Sequence, residues 1–149
     1  MITLPDMRQT DDFGCGDTVY RSIMRLLRRP AERQSLSDPL TGISPDGLEA
    51  AFRRAGLDVL SGVMTVADLK HFAGTGRPVA CPIALHGGHW VTVLGVTRNR
   101  VHFHCPLEGH RALSVADWHP IWRDNTRAGH VYERWGIAVG GYEVGGHSS

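Results

Sequence analysis

The sequence predicts an α+β fold in which helices precede an antiparallel sheet. Three observations lead to this prediction. In the first half of the 149 residues, apolar side chains recur every three or four positions behind residues that cap helices. In the second half, short apolar runs alternate with turn residues, as is typical of strands. Helical and strand segments that occupy separate parts of a chain favour an α+β arrangement over alternating βα units.

The first half is expected to contain three helices. The first covers 16–28 and carries apolar residues at helical spacing. The second lies between the N-cap Ser44 and the stop residue Gly56, and it has one apolar face. The third covers 66–73 behind the N-cap Thr65. We expect the N-terminal helices to pack on the sheet that the second half forms.

Strand-like runs make up most of the rest of the chain. We expect the link 97–99 to be a hairpin connection between two of these runs. Ser114 should cap a short helical stretch, made irregular by Trp118, Pro120 and Trp122. The expected strands cover 57–63, 79–86, 90–96, 100–105 and 131–139.

The composition indicates one domain. With 42% hydrophobic and 21% charged residues, the chain is an ordinary globular sequence without internal repeats, and its length suits one core. We assign that domain to 1–139. Residues 140–149 are too rich in glycine to fold by themselves and are expected to form a flexible tail. This tail contains two glycine pairs.

The charge pattern and the cysteine count limit the classes of partner. The net charge is +1, and no basic stripe suggests nucleic acid; the four arginines within 25–33 are interpreted as a solvated helix end. No apolar run reaches the roughly 20 residues that span a bilayer, and no secretory leader is visible. Three cysteines are too few for a disulfide framework. We therefore expect a cytoplasmic protein with reduced thiols, no membrane span and no nucleic-acid partner.

Cys15 stands at the predicted start of the first helix, between Gly14 and Gly16. The backbone N–H groups at a helix start and the positive end of its dipole stabilise a thiolate, so this position predicts a lowered pKa. The two glycines are expected to leave room for a substrate carbonyl. Gln9, six residues earlier, could supply a side-chain N–H to an oxyanion, together with the backbone N–H of Cys15.

His89 is the candidate base for this thiol. It follows Gly87 and Gly88 and leads into an apolar strand that begins with Trp90. A histidine at a strand edge can reach a cleft, where it can accept a proton and later return it. Nine histidines are present, so it is the surrounding pattern that selects His89. Cysteine on a helix and histidine on a strand are the two parts of a thiol acyl-transfer site.

Together these motifs resemble the C39-type cysteine peptidases of the papain-like superfamily. The resemblance rests on Gln-x5-Cys-Gly at 9–16, on Gly-His-Trp-Val at 88–91 and on the strand that ends at Cys105-Pro106, and it covers most of 5–123. It implies a papain-like fold and a thioacyl-enzyme mechanism on a peptide or small amide or thioester substrate, without a cofactor. Some C39-like peptidases cleave leader peptides after a double glycine.

Cys105 departs from the family pattern. Aligned on Pro106, it occupies the position at which the resemblance implies an aspartate that orients the catalytic histidine. A thiol accepts hydrogen bonds less well than a carboxylate. Three hypotheses follow: the enzyme tolerates Cys105 as its third catalytic residue, Glu108 or Asp117 replaces the aspartate, or peptidase activity has faded.

The leading hypothesis is a stand-alone C39-like peptidase or amidase. The alternatives are a papain-like acyltransferase or ligase in a biosynthetic pathway, in which an amine replaces water, and a degenerate peptidase that binds a peptide. A zinc site formed by Cys15, His89 and Cys105 is disfavoured, because a papain-like histidine stands between its two partners and a metal needs converging ligands. Three further residues are assigned to no site. We expect Cys81 to lie in the core, and His102 and His104 to face solvent.

Overall fold

A computed structural model describes residues 1–9, 14–32, 35–36, 42–85, 88–125 and 131–140. In this part of the chain, a six-stranded antiparallel sheet carries helices on both of its faces. The four helices are α1 (Cys15–Leu26), α2 (Pro45–Arg54), α3 (Val66–Gly74) and α4 (Val115–Ile121). None of the helices among the described residues combines the length and the apolar character needed to cross a membrane.

Side-chain caps explain where most of these helices begin. The Ser44 hydroxyl accepts from the Gly47 N–H, with Pro45 at the first position of α2. Thr65 and Asp68 form a capping box before α3. Helix α1 differs, because Gly14 precedes it and provides no side-chain cap. The first backbone N–H groups of α1 are therefore left to other acceptors, and Cys15 is the first residue beside them.

The large sheet has the strand order β1-β8-β2-β3-β4-β5, and a separate two-stranded sheet pairs β6 with β7. From β2 to β5 the chain forms an antiparallel meander. The link between β3 and β4 is the predicted hairpin, with Arg98 and Asn99 both at positive φ. The strands are β1 (Asp58–Val63), β2 (Val79–Ile83), β3 (His89–Thr97), β4 (Arg100–Cys105), β5 (Gly109–Ser114), β6 (Arg123–Asn125), β7 (Val131–Glu133) and β8 (Trp135–Gly140).

The strands differ from the sequence prediction in four ways. Strands β5 and β6 were not predicted, and β2 ends at Ile83 rather than at residue 86. The expected single strand 131–139 is divided at Arg134, which adopts a positive φ of 51° and separates β7 from β8. Gly140, assigned to the tail, pairs with Asp58 as the last residue of β8. The remaining tail residues lie outside the described part of the chain.

Two hydrophobic cores stabilise the sheet from its two faces. One core joins α1 and α2 to the sheet and includes Trp90, and the other joins α3 and α4 to the opposite face and includes Cys105. The sheet therefore forms a platform packed between two helical layers. Because β3 and β4 are antiparallel, the first residue of β3 and the last residue of β4 lie at the same end of the platform.

Candidate active site

Three of the predicted site residues stand at the ends of secondary-structure elements. Cys15 is the first residue of α1, His89 is the first residue of β3, and Cys105 is the last residue of β4. The structure brings these residues together at one end of the adjacent strands β3 and β4. A side chain at the end of an element is held by regular backbone and still reaches beyond it, which suits a site that must be both rigid and accessible.

His89 contacts Cys105 directly. The Nε2 atom of His89 lies 3.2 Å from Cys105 Sγ, and both residues are buried, at 5% and 1% exposure. Cys105 thus stands beside the imidazole of His89, and its role as the orienting residue stays a prediction. Glu108, one of the proposed substitutes, instead accepts a hydrogen bond from Arg111 at 3.0 Å, and Asp117 lies in the first turn of α4.

Cys15 lies beside the backbone that follows His89. The backbone N–H groups of Trp90, Gly16 and Cys15 itself contact its sulfur and lower its pKa, but burial acts in the opposite direction and is the larger effect. The pKa of the Cys15 thiol is therefore raised, which contradicts the lowered pKa that the helix start suggested. A half-buried thiol pays a desolvation cost for its charge that the helix start does not fully offset.

Gln9 is held close to Cys105 by its backbone. Its N–H donates to the carbonyl oxygen of Pro106 at 2.9 Å, and its side-chain oxygen is buried. Pro106 directly follows Cys105, so the strand end that contacts His89 also fixes the glutamine. All four predicted residues therefore lie near the start of β3 and the end of β4, where Cys15 of α1 and Gln9 approach these two strands.

Gly16 has a different use from the one predicted. A Cβ at this position would overlap the Cγ2 atom of Ile43, so the missing side chain makes room for Ile43 rather than for a substrate carbonyl. The carbonyl oxygen of Ile43 in turn accepts from the indole N–H of Trp90 at 3.0 Å. This packing ties the start of α1 to the residue after His89, and it explains the small residue beside Cys15.

His104 was expected to face solvent, and this expectation was wrong. The residue is 4% exposed, and its Nε2 atom donates to the Asp6 carboxylate at 2.8 Å. Asp6 also accepts from Arg8 Nε at 2.8 Å. No local pattern in the sequence reveals this group, because strand alternation places His104 on the face opposite Cys105 and its partner lies 98 residues away.

Cys81 and His102, the other two residues considered from the sequence, interact with residues outside this site. Cys81 is fully buried, and burial raises its pKa, as expected for a core thiol. His102 is partly exposed and hydrogen-bonds Thr97 Oγ1 at 2.7 Å. Within the described ranges, no three His, Cys, Asp or Glu side chains are arranged to hold a metal ion.

Comparisons with known proteins identify the fold. No protein-family model matches the chain, and no curated protein matches it. Among solved structures, a double-glycine-motif protease from an AMS/PCAT transporter, in complex with its leader peptide, is 13% identical with a TM-score of 0.71, over 92% of this chain and 91% of that chain. The peptidase domain of Streptococcus ComA is 17% identical with a TM-score of 0.71, over 94% and 98%.

A third similar structure is the peptidase domain of Streptococcus mutans ComA bound to a small-molecule inhibitor. It is 16% identical with a TM-score of 0.68, over 93% of this chain and 98% of that chain. The predicted α+β, C39-like fold is therefore confirmed. At these identities the likeness shows the fold, and the roles of individual residues must be argued from the site itself.

Proposed function

We propose that this chain is a cysteine peptidase or amidase that acts on peptides through a thioacyl-enzyme. The observation that carries the proposal is the junction at the start of β3. The thiol of Cys15 contacts the backbone N–H of Trp90, while the adjacent residue His89 is oriented through Nε2 by Cys105. Nucleophile, base and orienting group in this relation are the parts of a thiol acyl-transfer site.

The proton path follows from the His89–Cys105 contact. If Nε2 carries the hydrogen and donates it to Cys105 Sγ, then Nδ1 is the basic nitrogen of the ring. As the Cys15 sulfur bonds to the substrate carbonyl carbon, its proton passes to Nδ1 of His89, and the carbonyl electrons move to the oxygen. The raised pKa of Cys15 favours proton transfer during the attack over a resting thiolate.

The Gln9 side-chain N–H₂ and a backbone N–H at the start of α1 are proposed to stabilise the oxyanion. When the intermediate collapses, the C–N bond breaks and His89 returns its proton to the leaving amine. Water then attacks the thioester carbonyl carbon and loses a proton to His89. The C–S bond breaks, and His89 returns this proton to the Cys15 sulfur, which releases the acid and the free thiol. An amine in place of water would give the acyltransferase alternative through the same thioacyl-enzyme.

Substrate choice is proposed from the fold. One structural neighbour is a double-glycine-motif protease with a bound leader peptide, so a peptide that ends in Gly-Gly is the first substrate class to test. The proposed location is the cytoplasm, where thiols stay reduced, because three cysteines are too few for a disulfide framework.

The test is covalent capture of Cys15. A peptide vinyl sulfone that ends in Gly-Gly should add once to the chain, and peptide mapping should locate the adduct at Cys15. Cys15→Ala and His89→Ala should abolish the adduct, whereas Cys81→Ser, a change at a core thiol, should leave it intact. Modification elsewhere, or none at pH 8, contradicts the proposal.

A peptide-binding module without activity is the second candidate, because a thiol occupies the orienting position. A coumarin amide of the same peptide separates the two candidates. Release of coumarin that is lost in Cys15→Ala supports the enzyme. Binding of the peptide with equal affinity in the wild type and in Cys15→Ala, without release of coumarin, supports the binding module.

A further inference from the structure

Residues 1–9, here called the N-terminal strap, run from the interior of β3 to the end of β4 that carries Cys105. Near its first residues, Ile2 N–H donates to the carbonyl oxygen of Leu94 at 2.9 Å, where the pairing of β3 with β4 shifts register between Val93 and Gly95. Such a bulge disrupts the ladder locally, and here the Leu94 carbonyl accepts from the strap. At its other end, the strap is bonded to Pro106 through Gln9.

Between these two points, Asp6 connects the strap to β4. Its carboxylate accepts from His104 Nε2 at 2.8 Å and from Arg8 Nε at 2.8 Å. Hydrogen bonds from Arg8 and His104 hold the pKa of Asp6 at about 2, so the carboxylate is charged at any working pH. The buried imidazole of His104 gains in Asp6 the polar partner that a buried ring nitrogen requires.

Arg8 extends this group to the turn after β4. Its Nη1 donates to the carbonyl oxygen of Leu107 at 3.3 Å, and its guanidinium occupies the space that a side chain at Gly109 would need. Gly109 is the residue that pairs with Cys105. The strap is thus attached on both sides of the strand end, at His104 and at the turn that follows Cys105.

Three consecutive residues at the end of β4 therefore hold different parts of the site. His104 binds Asp6 of the strap, Cys105 orients His89, and Pro106 receives the backbone N–H of Gln9. We infer that Asp6 and His104 are positioning residues that place Gln9 relative to Cys15 and His89 through this shared strand end. The inference rests on the proposed function, in which Gln9 stabilises the oxyanion.

The positioning role makes a specific kinetic prediction. Asp6→Asn removes the charge that joins Arg8 and His104, so it should lower kcat for the Gly-Gly coumarin amide about tenfold, because small displacements of a catalytic group cost up to roughly a hundredfold. KM should change little. His104→Phe should behave similarly, whereas His104→Gln, which keeps an N–H donor, should recover much of the rate.

A double-variant cycle separates positioning from a merely structural effect. In a Gln9→Ala background, Asp6→Asn should have almost no further effect, because the group that it positions is gone. Arg53→Gln is the matched control, since it removes an ion pair with Glu49 within α2, a helix that packs on β1 and β8. An equal loss in both backgrounds, or an equal loss in the control, overturns the inference.

Hydrogen exchange gives a readout that does not depend on turnover. The Gln9 amide should exchange faster in Asp6→Asn than in the wild type, while amides in the centre of β3 stay protected. Unchanged exchange at Gln9 overturns the strap inference alone. Absence of both labelling and turnover in the wild type instead removes the proposed function, and with it the catalytic role of the strap.

Discussion

At the scale of single residues, Cys105 decides how strongly His89, the proposed base, is supported. Its sulfur lies 3.2 Å from His89 Nε2, so it has the position of an orienting group with a weaker acceptor than a carboxylate. A neutral sulfur fixes the direction of the imidazole but stabilises imidazolium poorly. We therefore expect this site to be correctly arranged and slow.

Replacing the weak acceptor tests this view. Cys105→Asp should raise kcat/KM for the Gly-Gly coumarin amide by about threefold to tenfold, because charge-assisted hydrogen bonds are roughly twice as strong as neutral ones. Cys105→Ala should lower it. Cys81→Ser is the matched control, because Cys81 is also a buried thiol but interacts with Trp122. A loss of activity in a folded Cys105→Asp protein would mean that Cys105 has chemistry of its own.

At the scale of elements, the start of α1 is held by close packing instead of a side-chain cap. Gly14 provides no cap, and Gly16 lets Ile43 approach the helix. Ile43 also accepts the indole N–H of Trp90, so one residue links α1, β3 and the segment before α2. The position of Cys15, the proposed nucleophile, is therefore set by tertiary contacts.

Gly16→Ala should disrupt this junction. The added methyl group overlaps Ile43, so the free energy of unfolding should fall by about 1–3 kcal/mol, as is typical of overpacked sites. Denaturant titration measures the effect. In an Ile43→Ala background the cost of Gly16→Ala should largely disappear. Gly74→Ala is the control, because a Cβ there meets open space and a helical alanine should stabilise by about 0.5–1 kcal/mol. Equal effects at both glycines would contradict the packing argument.

The difference between local caps and tertiary contacts explains which parts of the molecule could be predicted from sequence. Helices α2 and α3 were predictable because Ser44 and Thr65 are local caps. Strand β5 was not, because Gly109–Ser114 lacks a strong apolar alternation and its place depends on pairing with β4. Likewise Cys15 and His89 stand in local motifs, whereas the bond between His104 and Asp6 depends on how distant segments meet.

At the scale of the whole molecule, the two helical layers determine which thiols can react. Cys15 is half-buried at an element end, while Cys81 and Cys105 are 0% and 1% exposed within the core that packs on α3 and α4. A thiol inside a core reacts only when the core opens. The reaction rate of Cys15 with a thiol reagent should therefore report on the site, and the rates of Cys81 and Cys105 should report on opening of the core.

We expect one fast and two slow thiols in the native protein. Ellman's reagent should modify Cys15 first, and the rate should rise into the alkaline range, because burial raises the pKa of this thiol and less thiolate is present at neutral pH. Cys15→Ala should remove the fast phase alone. The two core thiols should react about a thousandfold or more slowly, since unfolded fractions of native proteins are about 10⁻³ or below.

Denaturant then relates the slow phase to global unfolding. The midpoint for modification of Cys81 should coincide with the midpoint for the fluorescence of the four tryptophans, three of which are Trp90, Trp118 and Trp122 in the two cores. Coincident midpoints mean that both layers unfold with the sheet as one unit. Modification of Cys81 at lower denaturant than the fluorescence change would instead mean that the α3–α4 layer opens by itself. In that case the platform that holds His89 and Cys105 would not be rigid, and Cys105 would not hold the imidazole of His89 in one orientation.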